Sequence, residues 1–435
     1  MEFLNLLHYK DNLAVITEDG LCLTYGELNE MVEKEAKTYK EHVLEFCLVD
    51  NSITSLVKYL ACLKAGAPAV MLDAHKSSDM IDHLEEIYQP GKTVCHPDVA
   101  LLLTTSGSTG SPKLVKLTAK NLLSNAESIA EYLQIDENER PITSLPMYYS
   151  YGLSVINSHL LKGATLLLTD RAVIQKEFWS FAKEAEATSI SGVPYTYEML
   201  RRLRVFRMDL PKLKTMTQAG GKLNAKVAEE YIRNAHASGK RFIVMYGQTE
   251  ATARMSYLPE DKALEKYASI GIAIPGGKFS LIDTEGNTIT QPDVDGELIY
   301  EGANVSMGYA ECIGDLGKGD ENHGVLHTGD VARMDSDGFY YITGRLKRFV
   351  KVWGNRCNLD ATEQLLNGIT TNCACTGVDD KITIFVTEEG LETDIKSLLS
   401  EKMGLNNRAF AVKIIDDIPR NASGKVQYSE LQKLL

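Results

Sequence analysis

The sequence predicts an α/β protein built largely on parallel sheet, and three observations carry that expectation. Continuous apolar runs alternate with amphipathic stretches over most of the length. Near residue 278 the texture changes to short strands broken by Asp-Gly and Glu-Gly turns. After Gly344 a mixed α/β pattern returns. The predicted architecture is a large N-terminal domain, 1–343, of parallel α/β subdomains with a small antiparallel, β-barrel-like region. A smaller α+β domain, 344–435, follows.

In chain order, "FCLVD", "PAVML", "ALLLTT", "ATLLLTD", "SISGVP", "FIVMYG" and "FSLID" read as buried strands, each too short for a helix. Helices are expected at "SLVKYLACLKAG", stopped by Gly66, at "AKNLLSNAESIAEYL" and at "AKVAEEYIRNAHASG". "GELIYEG" and "VARMDSDGFYYITG" supply the antiparallel strands. The last segment offers "RFVKVWG", "DATEQLLNGI", "KITIFVT", "TDIKSLLSEKMG" and "FAVKIID". The stretch Gly344–Lys347 is the expected boundary, because two textures meet there without a long linker.

Bulk properties narrow the function classes. The chain has 435 residues, with 46 Lys and Arg against 59 Asp and Glu and a formal charge of −13. That balance argues against a general nucleic-acid or anionic-membrane surface. No run of eighteen apolar residues occurs, so no integral membrane association is expected. "MEFLNLLHYKDNLAV" lacks a basic segment followed by a long apolar one, and a cytoplasmic location is expected. The cysteines are scattered, and Cys373 and Cys375 match neither zinc nor redox spacing, so buried free thiols are expected. The histidines form no ligand-like cluster.

Four stretches carry chemistry. "TTSGSTGSPK", 104–113, follows an apolar strand. Gly107 and Gly110 let backbone N–H groups approach an anion, and Thr104, Thr105, Ser106, Ser108 and Thr109 offer hydroxyls. Lys113 adds a mobile charge. Pro112 and Leu114 flank that lysine, so the loop is not the Gly-Lys-Ser/Thr type; a polyphosphate cradle and a polar surface turn both fit. "MYGQTEATAR", 245–254, places Tyr246 at a strand mouth with Gly247 to turn, Gln248 and Thr249 beyond it, and Glu250 as a carboxylate for a hard cation. A capped helix start explains the same residues. "HTGDVARMDSDGFYYITGRLKRFVKVWG", 327–354, holds Asp330, an acceptor for ribose hydroxyls, and Arg345, or else ordinary turn residues. "PRNASGKVQ", 419–427, sets Lys425 after a Ser-Gly turn, where a solvated lysine is the plain alternative.

In this order, the four stretches resemble the adenylate-forming (AMP-binding) superfamily of acyl-CoA synthetases, carrier-protein adenylation domains and luciferases. "LTYGEL" at 24–29 and "LKAGAPAV" at 63–70 resemble its early structural motifs, so the likeness spans nearly the whole chain. The resemblance implies attack of a carboxylate on the α-phosphorus of ATP, with Mg²⁺, to give acyl-AMP and pyrophosphate. A thiol of CoA, or of a carrier protein's phosphopantetheine, then displaces AMP. The 104–113 loop would shield the β- and γ-phosphates, Thr249 would touch the α-phosphate, Glu250 would help hold Mg²⁺ and Tyr246 would pack on adenine. Asp330 and Arg345 would hold the ribose, and Lys425 would bridge the carboxylate and the α-phosphate. The small C-terminal domain of such proteins is mobile, and its hinge position falls on Lys347.

The acid pocket is expected along "SLPMYYSYGLSV", 144–155, with Tyr149, Ser150 and Tyr151 as walls, together with Val193 of "SGVPYTY" and Gly220 and Gly221 of "QAGGKL". No acidic residue lies in 144–155, where amino-acid-activating members carry an aspartate, and Tyr149 stands where many acyl and aryl members have histidine. A non-amino carboxylic acid, aryl or short and polar, is the expected small-molecule partner. Leu114 and Ala119 depart from the family's usual glycine and histidine, and Glu363 restores a family glutamate. Part of the N-terminal subdomain reads as trimmed. A non-catalytic adenylate-binding module would have no chemical need for Glu250, Asp330, Arg345 and Lys425 together, and an unrelated hydrolase or kinase would release phosphate or ADP.

Overall fold

The computed structural model describes residues 4–75, 77–104, 113–370, 372–378, 380–420 and 426–435. They fall into two compact units, one made of the described residues of 4–104, 113–279 and 300–326, the other of those of 280–299 and 327–435.

The first unit holds a nine-stranded and a five-stranded sheet. In the larger, the strands Ser189–Gly192, Thr215–Gln218 and Arg241–Tyr246 run parallel, with Gln218 opposite both Gly192 and Val244. Pro141–Ile142, Leu166–Leu168 and Leu13–Thr17 extend the parallel order. Antiparallel strands close both edges, Cys22–Thr24 at one and Ser256–Tyr257 with Ile272–Ala273 at the other. The inner strands are buried along their whole length: Leu166–Leu168 is an unbroken apolar run, whereas Ser189–Gly192 and Thr215–Gln218 carry polar residues between their apolar ones.

The smaller sheet runs parallel through Glu45–Val49, Ala69–Asp73 and Val99–Thr104. It then turns antiparallel through Leu114–Thr118 to the edge strand Tyr309–Ala310. The helices Ile53–Ala65, Ala119–Leu133 and Ser150–Leu161 accompany these sheets, and Gly66 ends the first at φ +67°, the left-handed stop expected of it. Tyr59, Leu60, Leu103, Val115, Leu153 and Ile156 belong to one core.

A further five-stranded sheet, whose residues within 280–299 and 327–345 fall in the second unit, has the order Thr288–Ile289, Gly277–Ile282, Gly296–Gly302, Val325–Met334 and Tyr340–Arg345. The hairpin Phe349–Val352 with Asn355–Asn358 follows, turning through Trp353 and Gly354 at positive φ. The three-stranded sheet Cys373–Val378, Lys381–Val386 and Phe410–Ile414 packs with the helices Leu359–Leu365 and Glu392–Met403 on a core that includes Val352, Ile384, Ile395, Leu399 and Phe410. The 343/344 division and Lys347 both lie inside this unit.

All eight cysteines are free; Cys22 and Cys312 are exposed, which departs from the expectation of buried thiols. Among the described residues no helix is long and apolar enough to cross a membrane.

Candidate active site

Three parallel strands end side by side, and the residues just beyond their carboxyl ends are those singled out in the sequence. Val193 follows Gly192, Gly220 and Gly221 follow Gln218, and Gly247–Glu250 follow Tyr246. Carboxyl ends of parallel strands are where open α/β sheets form ligand crevices.

Beyond Tyr246 the chain folds back on itself. The Met255 N–H donates to the Tyr246 carbonyl at 2.9 Å and the Ala253 N–H to the Gln248 carbonyl at 3.2 Å. A Cβ on Gly247 would come within 1.8 Å of the Ala253 carbonyl oxygen, so only glycine fits. Thr252 and Ala253 occupy positive φ, +55° and +97°, a costly conformation for residues with a Cβ and one that clusters at functional sites. The segment 304–306 holds the turn in place. Asn304 Nδ2 donates to the carbonyls of Ala251 (2.7 Å) and Arg254 (2.9 Å), and the Ser306 N–H donates to that of Glu250 (2.8 Å).

That brace carries the chain to Tyr309, whose hydroxyl donates to Glu250 Oε1 at 2.7 Å. Glu250 forms no ion pair among the described residues, and this phenol is its side-chain partner. Burial raises the Tyr309 pKa, and the neighbouring Glu250 carboxylate raises it further, which keeps the phenol protonated as the donor. Lys113 lies 5.5 Å from the Tyr309 ring centroid and pairs with Glu311. Lys113, Tyr309 and Glu250 thereby form one continuous group. Thr105, Ser106, Gly107, Ser108, Thr109 and Gly110 lie outside the described residues.

On the other side, Ser150 Oγ and Thr249 Oγ1 are 3.1 Å apart, which joins the first turn of Ser150–Leu161 to the turn after Tyr246. The Tyr149 hydroxyl and Val193 Cγ1 crowd the left-handed Gly220, lying 2.5 and 3.1 Å from where a Cβ would stand. Gly221 packs on Pro194. Tyr151 is more deeply set. Its hydroxyl donates to the Thr217 carbonyl at 2.8 Å and lies 2.9 Å from Thr217 Oγ1, and Arg254 lies over its ring at 3.8 Å. Tyr246 is half-buried, with Gln248 Nε2 donating to its hydroxyl at 3.3 Å and Phe279 tilted 6.5 Å away.

In the second unit, antiparallel register sets Asp330 opposite Arg345, and Arg345 Nε donates to Asp330 Oδ1 at 2.9 Å. The Asp330 side chain is buried, whereas that of Arg345 is largely exposed. Lys347 sits in a single 3₁₀ turn between Tyr340–Arg345 and Phe349–Val352. The next residue, Arg348, is anchored by Asp360 and by Glu363 Oε1 at 2.7 Å, and stacks 3.6 Å over the Tyr428 ring. Lys425 lies outside the described residues. Arg420 bridges to Val426, and the Gln427 N–H donates to the Pro419 carbonyl at 2.8 Å.

The described residues contain no group of three or more His, Cys, Asp or Glu side chains able to hold a metal. Glu250 stands outside any such group, a lone carboxylate beside a phenol. Tyr309, Glu311 and Arg254 were not singled out from sequence. Tyr309 stands on a two-residue strand, too short to show alternation, while Arg254 closes the quoted 245–254 stretch and had drawn no role.

Comparison with known proteins gives the family. The family model for AMP-binding enzymes matches residues 85–310, more than half of the chain. The oxalate–CoA ligase of Arabidopsis thaliana is 28% identical over 84% of this chain and 72% of its own length. The 2-succinylbenzoate–CoA ligase of Bacillus licheniformis is 27% identical over 97% and 96%. The AMP complex of the Bacillus subtilis O-succinylbenzoate coenzyme A synthetase superposes with a TM-score of 0.84, covering 99% of this chain and 98% of that one at 22% identity. ATP-bound MatB from Rhodopseudomonas palustris gives 0.83 over 100% and 98%, also at 22% identity. The chain belongs to the AMP-binding enzyme family, the adenylate-forming superfamily, and is an acid–thiol ligase of the AMP-forming kind.

Proposed function

We propose that this enzyme activates a non-amino carboxylic acid as its acyl-adenylate and passes the acyl group to the thiol of CoA. The single observation that carries the reading is Glu250. It is a carboxylate bonded by a phenol and not by a cation, within one turn of a threonine that meets the first residue of the expected acid-side helix. The relatives named above are ligases for oxalate and 2-succinylbenzoate, and another at 28% identity is a feruloyl-CoA synthase from Amycolatopsis; all three transfer to CoA by name.

A carboxylate is a poor electrophile because oxide would have to leave. Adenylation replaces oxide with AMP: one carboxylate oxygen bonds to the α-phosphorus as pyrophosphate departs. The thiol sulfur then bonds to the acyl carbon, its proton is lost and AMP leaves. The first step gathers anions, so preorganised positive groups and dipoles determine its rate. Glu250 would hold Mg²⁺, which when bound would neutralise charge at the phosphates. Lys113 and the loop before it take the β- and γ-phosphates, Thr249 donates to the α-phosphate, and Tyr246 offers its ring to the base. Asp330 and Arg345 take the ribose, which requires their mutual bond to loosen. Lys425 contributes the charge between acid and α-phosphate. Residues 344–435 act as the mobile domain, turning about Lys347 so that thiol replaces pyrophosphate at the working face.

The test is a panel of carboxylic acids read by acid-dependent exchange of labelled pyrophosphate into ATP. Productive acids are then offered CoA and purified carrier proteins side by side. The reading expects exchange with non-amino acids and a thioester with CoA. Exchange with none, or ADP as the product, would remove it.

A further inference from the structure

Arg254 is the bulkiest of the fully buried side chains, 2% exposed. Its guanidinium lies 3.8 Å over the Tyr151 ring, and its Nε has no hydrogen-bond partner. Among the described residues no carboxylate comes within ion-pair distance of it. Its titratable neighbours are three phenols, Tyr132, Tyr149 and Tyr151, of which Tyr132 also shares a hydrogen bond with it; burial raises their pKa values and the Arg254 charge draws them back down. An arginine cannot escape burial by losing its proton. Ring faces attract the cation but leave its charge uncompensated.

The chain treats its other deeply set cations differently. Lys116, with no exposed side-chain surface, has the Asp315 and Lys318 carbonyls at 3.1 and 3.2 Å and Glu321 Oε2 at 3.4 Å. Arg348 stacks on a tyrosine as Arg254 does, yet has two carboxylates, Asp360 and Glu363. Arg254 alone of the three has the ring without the counter-charge. Nor is its placement loose, since its carbonyl accepts from Asn125 Nδ2 at 3.0 Å and Asn304 Nδ2 at 2.9 Å.

The position of this cation says what compensates it. Arg254 closes the turn that holds Thr249 and Glu250, and it rests on Tyr151, adjacent in the chain to Ser150. On the ligase reading, with Thr249 at the α-phosphate, the reacting carboxylate would lie close to where Ser150 and Thr249 meet. Arg254 touches the Tyr151 ring instead of that pair, so it suits a different part of the acid. We infer that Arg254 is the counter-charge for a second carboxylate, and that the substrate is a dicarboxylic acid activated at the end remote from Arg254. This rests on the ligase reading above and adds the class of acid to it.

The test uses matched pairs, aliphatic and aromatic dicarboxylic acids of increasing length and the monomethyl ester of each. Pyrophosphate exchange is measured with the full chain and with Arg254→Met, which keeps side-chain bulk and removes charge. The inference expects at least one diacid to exceed its monoester in kcat/KM by about tenfold or more, the worth of a hydrogen bond to a charged group. It expects that ratio to fall toward one in Arg254→Met, and to recover in part in Arg254→Lys. It also expects ligand-free Arg254→Met to unfold at a higher temperature than the parent, because an uncompensated buried charge is removed. Monoesters that match their diacids in the parent overturn the inference and leave the ligase reading standing. A lowered unfolding temperature for Arg254→Met overturns it too, by making the arginine structural. Exchange with no acid of either series overturns the ligase reading, and the inference with it.

Discussion

Glu250 is made available by its surroundings: Tyr309 donates to it at 2.7 Å, and Asn304 and Ser306 fix the backbone from which it projects. Glu250→Gln keeps that geometry and removes the charge. We expect pyrophosphate exchange to fall on the order of hundreds-fold, the cost of one preorganised electrostatic group, about 3–4 kcal/mol. A loss under about fivefold, measured at saturating Mg²⁺, would remove Glu250 from the metal role. Glu250 was legible because its neighbours in "YGQTE" come with it. Tyr309 was not, since its importance arises from a two-residue edge strand delivered by a brace almost 200 residues from the phosphate loop. Arg254 was on the page, but a sequence shows a charge without showing that nothing opposes it.

Elements were read best where several local signals agreed. The helix at Ala119–Leu133 has an apolar face and a capping box, Thr118 with Asn121, and both ends fell where expected. Thr118→Ala should cost about 1 kcal/mol, seen by urea unfolding, without altering the acid preference. "ATLLLTD" was read as a longer strand than Leu166–Leu168, because hydrophobic runs extend past the residues that pair. The helix Ser150–Leu161 makes a sharper prediction. His159 is buried, its Nδ1 sits 2.7 Å from the Val155 carbonyl, and desolvation lowers its pKa from 6.5 to about 4. A depressed histidine pKa gives stability that is whole above the unfolded value and is lost as pH falls from about 6.5 toward 4. The loss reaches on the order of 3 kcal/mol. Urea unfolding of the parent and His159→Gln at neutral and acid pH isolates it. Parallel pH dependences in the two proteins would contradict the assignment.

Across the whole molecule, the alternation of runs and amphipathic stretches gave the fold, because parallel strands buried on both faces leave a signature no surface strand imitates. The residues proposed for the two steps were legible only as motifs: Lys347 lies in a short turn, and Lys425 lies outside the described residues. Lys347→Pro should spare pyrophosphate exchange and reduce thioester formation at least about tenfold, as expected where a conformational step gates the second reaction. Unchanged overall turnover would place the hinge elsewhere. Lys425→Ala should reverse the pattern, losing exchange while thioester formation from supplied acyl-AMP survives better. The central claim is that a carboxylate oxygen of the acid becomes bonded to the α-phosphorus of ATP. The most direct measurement is to supply the best acid of the panel with both carboxylate oxygens replaced by ¹⁸O, add CoA and analyse the products by mass spectrometry. The account predicts one labelled oxygen in AMP and none in pyrophosphate; label in inorganic phosphate, or an unlabelled AMP, would contradict it.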